Sequence, residues 1–403
     1  MMDEVYEFRH SGRELSFDPE SVMPPLLSEA SYPMITSMAL DVSGCCNLRC
    51  VYCAESLTLP GRQAMPELIL QRAIDSVFRW SSHGAVSLHL GSGEPLMNPG
   101  AVLETGRRAN QLAKSQNRTV SLFLTTNGTL LSDGILSQLI QDGWNVKISI
   151  DGGNNIHDRY RVDRKGKGTF RNIEHAVRTL AAKIPERFST TSVLCHGTDP
   201  GQVFHDIESM GVKRIELVPV ACPDPSHLAL QEEDLAAYRD FVFDYAHRIA
   251  GGENVPVHIK FLKRLHKVLG YGNIRVSCGA GRTFIAAGPD GTLYPCFRFV
   301  GLPHFGLGDL DSGIDHGSVH RFINGPGRSY ERIETCRKCW AAPLCGGPCF
   351  ACAQLLRKED GLLHEYCSMV RSESEAAIWL ASVLREENPM KLIELLGVKV
   401  EEV

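Results

Sequence analysis

Between residues 36 and 220, short β-branched and apolar runs alternate with stretches whose apolar positions recur every three to four residues. The runs predict six strands, at 38–42, 86–90, 120–125, 146–150, 190–194 and 214–218, with amphipathic helices such as 69–80 and 135–141 between them. Near-continuous apolar strands separated by helices imply a parallel sheet. The expected fold class is therefore α/β, a partial (β/α)6 TIM-like barrel over 36–230, with its active site at the C-terminal strand ends. Two helices, in 231–277, bridge to a stretch from 278 to 370 where Gly, Pro and Cys dominate and periodicity fades. That stretch reads as mostly irregular, as where metal ligation replaces an apolar core. A helical tail fills 371–403, and residues 1–35 suit a small hairpin around Ser11-Gly12 rather than a full domain.

Composition narrows the class. The chain of 403 residues is 43% hydrophobic and 22% charged, which excludes disordered and collagen-like proteins. A net charge of −5 offers no broadly basic surface, so no nucleic-acid partner is expected. No run of about 18 apolar residues is present to cross a membrane. Asp3 and Glu4 stand where a signal peptide would carry positive charge, so the expected location is the cytoplasm.

The anomaly is cysteine, 14 in all, with four at 45–53, eight between 278 and 367, and Cys195 and Cys222 between. In a reducing compartment, thiols in this number point to metal or redox chemistry rather than disulfides. Directly after the first strand stand Cys46-x3-Cys50-x2-Cys53. Three thiolates so spaced can hold three irons of a [4Fe–4S] cube and leave the fourth open. Spacing alone admits a zinc knuckle equally well. Cys45 lies outside the spacing and reads as a small buried hydrophobe.

The segment CNLRCVYC, so placed, resembles the signature of the radical S-adenosylmethionine (SAM) superfamily. The resemblance implies that SAM chelates the open iron and is cleaved reductively to a 5′-deoxyadenosyl radical, which abstracts a substrate hydrogen. Three further stretches match in order. Gly91-Ser92-Gly93-Glu94-Pro95 is similar to the family's GGEP turn, implying contact of Gly93 and Glu94 with the methionyl ammonium; alone it would be a plain loop. Thr126 to Thr129 ends the third strand and could be only a turn. Ser149-Ile150-Asp151-Gly152 and Arg161 resemble the segment that contacts ribose through Ser149 and the SAM carboxylate through Arg161. In isolation Arg161 would be a solvated helix residue. Tyr52 and Val218 would flank the adenine, and each suits a core position equally.

Further on, Cys278 is followed by Gly291 and Cys296, and then by Cys336-x2-Cys339-x5-Cys345-x3-Cys349-x17-Cys367. These seven cysteines resemble the SPASM domain, a C-terminal extension carrying auxiliary iron–sulfur clusters; CxxC alone would equally fit a zinc ribbon. The resemblance implies one cluster on Cys336, Cys339, Cys345 and Cys367 and another on Cys278, Cys296 and Cys349, three [4Fe–4S] clusters in all. Fully ligated relatives place an eighth cysteine where this chain has Phe284, so Cys352 and Cys222 are the spare thiols.

SPASM enzymes mostly modify peptides, so a precursor peptide or protein is the expected substrate, with a flavodoxin- or ferredoxin-type electron donor. Sulfatase maturases carry an Asp after the YPC cysteine; here it is Phe297, which cannot accept a proton. With Phe284, this departure favours a thioether- or carbon–carbon-crosslinking peptide maturase, served by a separate leader-recognition protein or by the barrel itself. The alternatives are formylglycine generation, a small-molecule dehydrogenase, or a non-catalytic iron–sulfur electron carrier. No general base is singled out.

Overall fold

The structure is a computed structural model that describes residues 34–53, 55, 61–81, 84–222, 226–271, 278–325, 328–356 and 363–397. The expected hairpin at 1–35 lies outside these residues. All six expected strands form: β1 Ser37–Leu40, β2 Ala85–Leu90, β3 Thr119–Thr126, β4 Asn145–Ser149, β5 Phe188–Leu194 and β6 Arg214–Pro219. They pair in parallel, each with the next, in registers such as Leu88↔Leu122 and Ile148↔Thr190. The sheet then gains three strands the pattern did not announce, β7 Val257–His258, β8 Phe284–Ala287 and β9 Leu293–Tyr294. Its order is β7-β6-β5-β4-β3-β2-β1-β8-β9, an open sheet among the described residues.

Strand β8 comes from the cysteine-rich stretch and pairs in parallel with β1, Ser37↔Phe284 through Leu40↔Ala287. Its four residues are too few to show a period, yet all are buried, because they cover the edge of β1 that β2 leaves unpaired. The auxiliary cysteines are thereby tied to the strand that leads into the first cysteine loop. Residues Pro33–Val403 accordingly form one compact unit.

Helices α1 Glu67–Trp80, α2 Pro99–Ser115, α3 Asp133–Gln141, α4 Asn154–Tyr160, α5 Phe170–Lys183 and α6 Pro200–Glu208 follow the strands, and α7 Glu232–Ala250 and α8 Ile259–Val268 are the bridging pair. In α1 the buried residues Leu70, Ala73, Ile74, Val77 and Phe78 make one stripe at helical spacing. That stripe packs with Leu88, Leu90, Leu122 and Leu124 in the main core. By strand alternation the opposite face carries His89, Phe123, Lys147 and Ser149. The tail helix, His364–Glu387, starts earlier than its amphipathic pattern suggests and packs against α7 and α8. Glu373 on it accepts hydrogen bonds from Tyr238 Oη (2.8 Å) and Arg264 Nε (3.2 Å), which locks the three helices together.

Candidate functional site

The loop after β1 is held by charge and by backbone. Buried Asp41 pairs with Arg62 Nη1 at 3.0 Å and accepts the Gly44 N–H at 3.3 Å. Farther along, the Arg49 and Val51 N–H groups donate to the carbonyls of Val162 and Tyr160 (2.8 and 2.9 Å), so the loop is stitched to the chain just after α4. Cys46, Cys50 and Cys53 thus lie at the C-terminal end of the sheet, half-buried. Cys46 Sγ accepts from the Leu48 N–H (3.4 Å) and from Asn127 Nδ2 (3.8 Å). Burial first, then the neighbouring charges of Glu94, Cys50 and Cys53, pushes the Cys46 thiol up to about 12. Crowded thiols with N–H donors aimed at sulfur suit thiolates neutralised by a bound cluster, not a free nucleophile. Among the described residues no three Cys, His, Asp or Glu side chains converge as a single metal ion would require. A four-iron cube instead spreads its thiolates over separate corners, which the donor set fits.

The turn after β2 closes against this loop. Gly93 has φ +60°, and a Cβ there would run into the Cys45 carbonyl oxygen, so glycine is required. That carbonyl accepts the Glu94 N–H at 2.8 Å. Cys45 is therefore half-buried and acts through its backbone, not as the buried hydrophobe its composition suggested. The fully buried Glu94 carboxylate accepts from the Leu96 N–H (2.9 Å), Thr126 Oγ1 (2.7 Å) and the Asn127 N–H (2.7 Å), joining the turns after β2 and β3. Burial raises its pKa, an effect these three bonds oppose. Asn127 in turn donates to Asn47 Oδ1 (2.9 Å). Thr126 to Thr129 is thus more than a turn.

The third part of the site centres on Asp151, fully buried at the end of β4. Its Oδ2 accepts from Arg161 Nε (2.9 Å) and from Tyr52 Oη, and its Oδ1 from the Val193 N–H (2.9 Å). The Arg161 guanidinium also lies over the Tyr52 ring at 5.4 Å. Arg161 is 6% exposed, so the solvated reading does not hold. His157 is driven down to about 3, by burial first and then by Arg161, so it is neutral and its Nδ1 accepts the Asp151 N–H (3.3 Å). Tyr52 also packs against an apolar patch of Tyr160, Cys195, Val220 and Cys222. Ser149 and Val218 stand half-buried at the ends of β4 and β6. The sequence reading missed Asp151 as the hub. It also missed Glu55, whose buried carboxylate accepts the Gly93 N–H at 2.7 Å. The sole signal for Asp151 was its place before Gly152, which has φ +85°.

The structure brings the later cysteines together as two groups. Half-buried Cys367, pushed up to about 12 chiefly by desolvation, feels the charges of Cys345, Cys336 and Cys339. Cys296, also raised to about 12 by burial, feels those of Cys349 and Cys278. Phe284 packs edge-on against His89 (5.4 Å), and Phe297 joins the apolar cluster that also holds Cys296 and Cys349.

Residues 40–210 match the Radical SAM superfamily. The chain is 25% identical, over 86% of its length and 96% of the relative's, to a cysteine-type anaerobic sulfatase-maturating enzyme of Clostridium perfringens. It is 26% identical, over 77% of its length and 81% of the relative's, to a serine-type enzyme of Bacteroides thetaiotaomicron. The structure of anSMEcpe with bound AdoMet and Kp18Cys peptide has the same fold, at a TM-score of 0.70 and 22% identity, covering 87% of this chain and 99% of that one. SuiB of Streptococcus suis bound to its precursor peptide SuiA gives 0.55 at 15% identity, covering 80% of this chain and 73% of that one. These relatives overturn the crosslinking expectation, since the chain-long likeness runs to sulfatase maturases. The two departures behind that expectation have local explanations. Phe284 packs beside His89, and Phe297 lines the apolar cluster that also holds Cys296 and Cys349. The family match runs from Leu40, the last residue of β1, through α6, and the cysteine loop, the Gly93-Glu94 turn and the Asp151–Arg161 pair gather at one end of that sheet, so residues 40–210 carry a radical SAM domain.

Proposed function

We propose that this chain is a SAM-dependent oxidase that converts a Cys or Ser side chain of a protein or peptide substrate to the aldehyde of formylglycine. The observation that carries this reading is the joining of Cys46, Asn127, Glu94 and the Cys45 carbonyl into one hydrogen-bonded unit at the C-terminal end of the sheet. The likeness to cysteine- and serine-type sulfatase maturases supplies the substrate class. In this reading Cys46, Cys50 and Cys53 hold the cluster, and Gly93, Glu94, Ser149, Arg161, Tyr52 and Val218 line the SAM pocket. When bound, the cluster and SAM supply a hydrogen-abstracting 5′-deoxyadenosyl radical.

The protein's own part is orientation and exclusion of water. Glu94 presents a carboxylate to a cationic ammonium, and its three protein donors fix its rotamer. Asp151 fixes Arg161 and Tyr52 in one arrangement, so that the guanidinium meets SAM already ordered. We further propose two auxiliary [4Fe–4S] clusters, one on Cys336, Cys339, Cys345 and Cys367 and one built on Cys278, Cys296 and Cys349. A flavodoxin- or ferredoxin-type donor would supply electrons. The cytoplasm suits ten ligand thiols, because a reducing compartment keeps them available. A separate leader-recognition protein attaches to the crosslinking reading and is not part of this one.

The test is anaerobic incubation of the reconstituted protein with SAM, dithionite and sulfatase-derived peptides carrying Cys or Ser. The expected product reacts with a hydrazide and has the mass of the aldehyde. Both peptides unchanged, while 5′-deoxyadenosine accumulates, would refute the proposal.

A further inference from the structure

We propose that Cys352 is the fourth thiolate of the auxiliary cluster built on Cys278, Cys296 and Cys349, an inference that rests on the two-auxiliary-cluster reading above. Phe284 leaves that cluster one cysteine short in sequence, and the question is what faces its fourth iron. Cys349 caps the short helix Phe350–Leu355, and Cys352 lies in the first turn of that helix. Residues three apart on a helix share a face, so the two thiols lie side by side and hydrogen-bond each other. Cys296 packs in the same apolar cluster as Cys349, and it feels the charges of Cys349 and Cys278 while Cys352 feels that of Cys296. Four thiols from three segments of the fold thus share one neighbourhood, linked by the apolar clusters that hold Cys296 with Cys349 and Cys349 with Cys352. The other spare thiol, Cys222, packs instead beside Cys195 in the patch next to Tyr52.

Spacing and charge agree with this placement. The x2 separation of Cys349 and Cys352 is the one the chain uses at Cys50 and Cys53 and again at Cys336 and Cys339, each pair assigned to a single cluster. A four-thiolate [4Fe–4S]²⁺ centre is a dianion, whereas three thiolates leave a monoanion, so the fourth ligand adds charge that the surroundings must balance. Arg298 is buried beside Cys352, Cys349 and Cys296, and Arg282 lies near Cys278 with Arg328 and Arg332 adjacent. The alternative role for Cys352 is that of a small hydrophobe against Leu356 and Leu363. Ligation and packing make different predictions. On binding iron, the Cys352 thiol loses its proton to solvent and forms an Fe–S bond with no change of oxidation state.

The experiment uses the full chain with Cys46, Cys50 and Cys53 replaced by Ala, loaded anaerobically with iron and sulfide, so that only auxiliary clusters contribute. Two such clusters give about eight irons per chain. The EPR spectrum of the dithionite-reduced protein is then recorded with and without cyanide, a ligand for any open iron. The expected result is about eight irons by that count and a spectrum that cyanide does not alter. Adding Cys352→Ala should either make the spectrum respond to cyanide or remove about four of those irons. A cyanide-induced shift while Cys352 is still present overturns the assignment, and this measurement stands even if the Cys352→Ala chain fails to fold. An unaltered iron count and spectrum in Cys352→Ala, with no new response, overturns it as well. An iron count near four in the starting variant would instead sink the two-cluster reading, and the ligand assignment with it.

Discussion

Replacing Asp151 with Asn keeps the side chain's shape and removes the charge that orders Arg161 and Tyr52. In the native chain both charged partners are out of water, with side-chain exposures of 8% for Arg161 and 1% for Asp151 at 2.9 Å. The Asn variant can still accept the Val193 N–H at Oδ1, but its amide turns an N–H group toward Arg161 Nε, which is a donor itself, while Tyr52 Oη can reverse its role and accept. Stranding one member of a buried pair typically costs about 3–5 kcal/mol. With a urea m-value of about 3 kcal/mol/M, the midpoint should fall by about 1–1.7 M at unchanged m. The double variant Asp151→Asn/Arg161→Met removes the stranded charge and should regain at least half of that loss, a coupling readable as a double-mutant cycle. SAM cleavage should fail in both variants, because each loses the ordered guanidinium. A midpoint shift below about 0.3 M in Asp151→Asn, or losses that simply add in the double variant, would refute the claim that Asp151 is the hub.

Cys50→Ala should abolish 5′-deoxyadenosine formation with dithionite as reductant, as measured by chromatography; product at the native rate would remove the cluster assignment. Gly93→Ala places a side chain at φ +60° against the Cys45 carbonyl, and the left-handed conformation alone costs about 1–2 kcal/mol. It should lower both the urea midpoint and SAM binding by calorimetry. The buried histidines His157 (lowered to about 3) and His258 (to about 3), and half-buried His89 (to about 4), owe their shifts chiefly to desolvation. Their folded values lie below the unfolded value of about 6.5, so their contribution is complete above that pH and is lost as pH falls below it. Urea midpoints at pH 7.5 and 5.5 should therefore differ, more stable at the higher pH, and His157→Gln should reduce the difference. Equal midpoints would refute the neutral, buried assignment.

Much of the site was legible because its chemistry is written in short-range spacing. Three cysteines within eight residues, a small-residue turn ending in Glu94, and a strand ending at Ser149 each fall inside one strand-to-helix unit, where local sequence dictates local geometry. Strands β2 to β6, of five to eight residues, announced themselves for the same reason, and β1 did so because its buried residues, mostly apolar, continue past the strand to Val42. What the sequence alone did not determine is set by groups far apart in the chain. Strand β8 forms because β1 offers an unpaired edge, and nothing in its four residues says so. Asp151 gains its role from Tyr52, Arg161 and Val193, which come from three other segments and are assembled by the parallel sheet. Phe284 and Phe297 misled for a related reason. Read singly they point to a reaction class, whereas in the fold Phe284 packs against His89 and Phe297 among apolar side chains around Cys296. Cys352 is the reverse case, a residue ordinary in sequence that the turn of a short helix and the approach of Cys296 place among thiols. Spacing within one loop determined which side chains that loop brings together, and tertiary packing decided which distant charges and thiols those loops would meet.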